Sequence, residues 1–80
     1  NMDYQKILRI AEKKIGLEFN YIVMDIKECI ACGSSGGEIS MMIGKYLNDL
    51  KINNFQAYSI LKEDIEMYLL ECKKHGLLIQ

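Results

Sequence analysis

Apolar residues recur at spacings of three and four along most of this chain, and no proline interrupts them. Tyr4, Ile7, Leu8, Ala11 and Ile15 form one such series. Ile39, Met42, Ile43, Tyr46, Leu47 and Leu50 form another, and Phe55, Tyr58, Leu61, Ile65, Tyr68, Leu69 and Cys72 a third. Side chains at that period share one helical face. Proline, which would remove a backbone donor and kink a helix, is absent from the sequence. The pattern predicts an all-α fold: a small bundle of about four helices around one core, followed by a short apolar tail, Leu77-Leu78-Ile79.

The punctuation supports the same division. Asp3 can cap the first helix, and Gly16 is expected to end it in a left-handed turn. Ser35 followed by Glu38 has the spacing of a capping box ahead of the third series, and Asn53 and Asn54 mark the next boundary. The last series reads as one helix or as two, with a break near Ser59 to Lys62.

The stretch from 17 to 32 is double-valued. Leu17, Phe19, Tyr21 and Val23 alternate as a strand would, while Phe19, Ile22, Val23, Ile26, Cys29 and Ile30 form a helical stripe. Asn20, Lys27, Glu28 and Ala31 gather on the opposite face of that stripe, which favours a helix from Tyr21 to Cys32 ended by Gly33. The alternative is a strand pairing with the apolar tail, and hence an α+β, winged-helix-like fold.

Length and composition bound the rest. Eighty residues make one domain, residues 1–80, with Asn1 ahead of Met2 expected to be a cloning remnant. No apolar run approaches the roughly 20 residues that cross a bilayer. The first residues lack the charged start, apolar centre and cleavage site of a secretory leader. Three cysteines cannot all pair within the chain, so a reducing cytoplasm is the expected location. The chain is 50% hydrophobic, a large share for a domain that buries only about 60% of its unfolded surface. Part of that surface is therefore expected to meet a partner, another protein or a second copy in a homodimer.

The sharpest constellation uses every cysteine and the single histidine. Cys29 and Cys32 form one i, i+3 pair, and Cys72 and His75 form another. Three thiolates and an imidazole are a recognised tetrahedral zinc set, and a metal would staple a chain short of core. The competing reading is packing and capping: Cys29 and Cys72 fall on apolar stripes, and His75 suits the last turn of a helix through its dipole. The packing reading is preferred, so no metal or cofactor is assigned, and zinc on Cys29, Cys32, Cys72 and His75 remains the alternative. Redox chemistry at Cys29 and Cys32 would need the pair at a helix N-terminus, whereas the sequence places it at a C-terminus. Cys72 with His75 offers a nucleophile and a base but no third group to orient them.

The remaining motifs read as structure. Gly33-Ser34-Ser35-Gly36-Gly37 leads into a helix as phosphate cradles do, but no Lys followed by Ser or Thr comes after it, and Glu38 sits where an anion would. Glu63, Asp64, Glu66 and Glu71, with Lys62, Lys73 and Lys74, read as a solvated helix face.

From Asn53 onward the chain resembles a winged-helix DNA-binding module. The resemblance implies a short helix (Phe55 to Ser59), a turn, a recognition helix (Lys62 to His75) and a strand from Gly76 to Ile79 leading into the wing. Against a phosphate-binding role stand four acids, three lysines and no arginine on that helix, in a chain of net charge −1 whose single arginine is Arg9.

The sequence therefore predicts a non-enzymatic interaction or regulatory domain, with Tyr21, Tyr46, Tyr58 and Tyr68 as interface anchors or core residues. A nucleic-acid-binding regulator and a zinc-stapled adaptor are its alternatives.

Overall fold

A computed structural model describes residues 2–79. The chain forms α1 (Tyr4–Lys14), a single 3-10 turn at Leu17–Phe19, α2 (Tyr21–Cys32), α3 (Gly36–Asn53) and α4 (Phe55–Lys74). Among the described residues there is no strand. The all-α bundle of four helices is thus the fold, and the α+β, winged-helix-like alternative is set aside. The stretch from 21 to 32 is helical because Ile22, Val23, Ile26 and Cys29 can then all reach the core.

Three of the four helices begin where a side chain satisfies a free backbone N–H, whereas α2 continues from the 3-10 turn through Asn20 without a side-chain cap. Asp3 accepts from Lys6 N, and Asn54 from Ala57 N. Ser35 Oγ accepts from Glu38 N, and Glu38 Oε1 reaches back to Ser34 N at 3.0 Å, one residue earlier than in the usual reciprocal box. Gly16 is extended (φ −83°), not left-handed; α1 ends instead on Ile15, whose N–H bonds Ala11 O. The left-handed glycine is Gly76, at φ +75°. There Gly76 N donates to Lys73 O and Leu77 N to Cys72 O, the paired bonds of a Schellman turn.

α4 runs unbroken from 55 to 74, so the resemblance to a short helix, a turn and a recognition helix does not hold. Ser59, at the expected break, donates its hydroxyl to Phe55 O within the continuing helix.

α4 packs most extensively on α3, with α1 on its other side; α2 lies against α1 and α3. The core holds Ile7, Ala11, Ile22, Ile26, Ile43, Leu47, Leu61, Ile65 and Cys72. Two small residues of α3, Ser40 and Gly44, let neighbouring chain come close. Tyr68 of α4 donates its hydroxyl to the Ser40 carbonyl at 2.9 Å. A Cβ on Gly44 would stand 2.7 Å from Ile79 Cδ1 and 3.5 Å from Leu69 Cδ2. The Schellman turn therefore returns the tail onto α3, where Leu77 and Ile79 pack against the core and Leu78 faces outward.

Gly76→Ala should cost about 1 kcal/mol in urea unfolding, because an L side chain disfavours positive φ. Gly36→Ala, at the first turn of α3 with nothing within 4 Å of the added methyl, should be neutral or slightly stabilising.

Candidate interaction surface

The two cysteine pairs end up in four different settings. Cys29 and Cys72 are buried, and both lie close enough to Tyr68 to act on its hydroxyl. Cys32, at the exposed C-terminal edge of α2, donates its thiol to Glu28 Oε1 at 3.3 Å. His75 Nδ1 lies 2.9 Å from the Glu71 carbonyl oxygen, to which an Nδ1–H can donate. Cys72 Sγ contacts Met2 Sδ at 3.6 Å. Among the described residues no three Cys, His, Asp or Glu side chains stand together as a metal site requires. Cys29 and Cys72 sit in the core, Cys32 makes a local hydrogen bond, and His75 stands at the C-terminal end of α4.

The thiols are all pushed toward their neutral form. Burial raises the pKa of Cys29 above its ordinary value, with Asp25 adding to it; burial also raises Cys72. At Cys32 the main cause is the hydrogen bond to Glu28, which holds the proton on sulfur.

Two phenols, Tyr68 buried and Tyr46 half-buried, tie the helices together. Tyr46 of α3 donates to Asp25 Oδ2 of α2 at 2.6 Å, and Tyr68 joins α4 to α3. Burial raises both hydroxyls well above the ordinary tyrosine value, and at Tyr46 the bond to Asp25 raises it further. Tyr58 is also buried, which leaves Tyr21 as the expected anchor that faces solvent most; its hydroxyl accepts from Asn54 Nδ2 at 2.7 Å. Phe55, expected on the buried face of α4, is 65% exposed and stacks on Tyr58 instead.

Of the acids expected on a solvated face, Asp64 departs: it turns toward α1 and accepts from Lys14 Nζ at 2.7 Å, with 19% of its side chain exposed. Glu63 and Glu66, with Lys73 and Lys74, are exposed as expected.

Among the exposed apolar residues, Tyr21 and Met24 lie on α2 and Met41 on α3; the rest divide by position. Leu17, Ile52, Phe55 and Leu78 lie at turns or helix ends. Ile60, Met67 and Leu70 share one helix, and at 3.6 residues per turn they form a stripe on the side of α4 turned away from Leu61, Ile65 and Cys72. Met67 also walls an open groove of about 410 Å³ between α1 and α4, with Met2, Ile7, Ile10 and Tyr68. Met67 thus joins the stripe of α4 to a groove that Asp3, Lys6, Asp64, Glu71 and His75 also line.

No protein-family model matches the chain, and comparison with curated proteins and with solved structures finds no match. No helix in the described residues is long and apolar enough to cross a membrane.

Two measurements follow from the titrating groups. Iodoacetamide should modify Cys32 in the native protein while Cys29 and Cys72 are protected, as read by intact and peptide mass. Glu28→Gln, by removing what raises the Cys32 pKa, should increase the thiolate fraction below pH 9 and speed that reaction several-fold.

The second concerns alkaline pH. Groups whose folded pKa is raised stabilise the fold fully below their unfolded values, here 9.0 for thiols and 10.0 for phenols, and lose that contribution as pH rises toward the folded pKa. The thermal midpoint should therefore fall steadily above pH 9. In Tyr46→Phe, which cannot ionise at that position, the fall should be shallower.

Proposed function

We propose that this chain is a small non-enzymatic interaction or regulatory domain that works through the outward face of α4. The observation that carries the reading is the grouping of Ile60, Met67 and Leu70 on one face of the longest helix, with 42%, 63% and 47% of their surfaces exposed. Leaving such side chains in water forgoes about 25 cal/mol for each Å² that a partner would cover. Contiguous apolar surface rimmed by charge is the usual mark of a helix-binding contact. Three free thiols, two of them buried, suit a reducing cytoplasm.

The face is rimmed by acids as well as lysines, which is poor complementarity for a phosphate backbone. Mixed duplex DNA at low salt is expected to keep its electrophoretic mobility at micromolar protein. A shift that weakens steeply with salt would replace this reading with a nucleic-acid one.

The direct test is crosslinking in the protein's own cells, comparing the wild-type chain with Met67→Asp combined with Leu70→Asp. Both changes lie on the solvent side of α4 and should leave the helicity intact. The reading expects crosslinked species that the wild type forms and the variant loses. An identical set of adducts from both chains would sink it.

A further inference from the structure

The charges beside the α4 stripe have an order that selects a particular occupant. Reading outward along the face from Ile60, and leaving aside Glu71 on its other edge, the sequence is Glu63, Glu66, Met67, Leu70, Lys73, Lys74: acids on the N-terminal half, lysines on the C-terminal half, apolar residues between. All six are exposed. Glu63, Met67, Leu70 and Lys74 fall on the stripe itself, spaced by three and four, and Glu66 and Lys73 line its edge one heptad apart.

We propose that this face pairs with itself, so that two copies of the chain associate through antiparallel α4 helices about a two-fold axis. The inference rests on the interaction reading above and names its partner. With the axis midway between Met67 and Leu70, Met67 of each copy meets Leu70 of the other. Glu63 then faces the second copy's Lys74, and Glu66 faces the second copy's Lys73. Two-fold symmetry repeats every contact, giving four acid–lysine pairs around an apolar centre.

A parallel pairing of the same faces would set Glu63 on Glu63 and Lys74 on Lys74. The charge order therefore disfavours it and favours the antiparallel one. The helix dipole acts in the same sense, because antiparallel α4 helices set opposite ends side by side. Within one chain, Lys74 is held only by Glu71 at 3.7 Å across a solvent-exposed pair. Glu63, Glu66 and Lys73 form no ion pair among the described residues. All four remain free to turn toward a second copy.

On one side Met67 adjoins the α1–α4 groove, where Met2 and Ile10 lie among charged residues of α1 and α4. Asp64, which would otherwise bring a further acid to that edge, is occupied by Lys14. Glu71, the one acid on the C-terminal half, is flanked by Lys74 and His75 of its own chain.

Sedimentation equilibrium tests the pairing with two double variants, Glu63→Lys with Glu66→Lys and Lys73→Glu with Lys74→Glu. All four positions are exposed, and circular dichroism checks that the helices persist. The wild type should sediment at twice the 9.2 kDa chain mass, with association that weakens as salt is raised. Each double variant sets like charges together and should weaken self-association about tenfold or more. One variant carries lysine at all four positions and the other glutamate, so mixing the two should restore a dimer containing one of each.

A wild type that stays monomeric at roughly millimolar concentration, far above any useful affinity, overturns the self-pairing. So does a dimer unmoved by either charge reversal, which would use another face. If the chain is monomeric but its adducts in cells are lost with Met67→Asp and Leu70→Asp, the partner is a different protein, and only this inference fails. If those adducts also persist, the interaction reading fails with it.

Discussion

The bundle depends on how closely α3 lets other chain approach it. Ser40 and Gly44, one turn apart, present almost no side chain at the place where α4 and the tail arrive. That closeness lets the Tyr68 hydroxyl reach a main-chain carbonyl of α3 instead of a side chain. A backbone acceptor cannot rotate away, so the bond fixes the height of α4 on α3 as well as their separation. With that register set, Leu61, Ile65 and Cys72 fall against Ile43 and Leu47, and the opposite side of α4 is committed to solvent. Among the described residues the Ser40 hydroxyl has no hydrogen-bond partner.

Most of the architecture was legible in the periodicity. The four apolar series become four helices, and residues such as Ile22, Ile43 and Ile65 sit in the core where their spacing puts them. Capping was legible too, because Ser35 and Asn54 act through their own side chains on N–H groups three residues away. The end of α1 was not. Gly16 looks like a helix stop, but α1 finishes on Ile15, whose need for burial outweighs the preference for a terminal glycine. The continuity of α4 could be decided only by tertiary packing, since Ser59 and Lys62 are compatible with either a helix or a break.

The contacts that join helices were hidden from the sequence for a different reason. Asp25 with Tyr46, and Tyr68 with Ser40, lie 21 and 28 residues apart, and no local pattern links them. Asp64 was misread for the same cause: it belongs to a run of acids, yet its partner is Lys14, fifty positions away. The cysteines illustrate the converse. Their i, i+3 spacing is real, but on an α-helix it serves burial at Cys29 and Cys72 equally well, and it leaves Cys32 at the rim beside Glu28.

The connections between helices carry a kinetic consequence. α3 and α4 are separated by Asn54 alone, and α2 and α3 by residues 33 to 35, so neighbours in space are mostly neighbours in sequence. Topologies of this kind fold quickly, because little chain entropy is lost before contacts are gained. The exceptions are the contacts of α1 with α3 and with α4, the second of which brings Lys14 to Asp64. Loop-closure cost rises only slowly with length, about 0.6 kcal/mol for each doubling. Even so, these closures cost more than the short connections do. The hairpin of α3 and α4 can form from local contacts, whereas the α1–α4 groove exists only once the two distant parts of the chain have met.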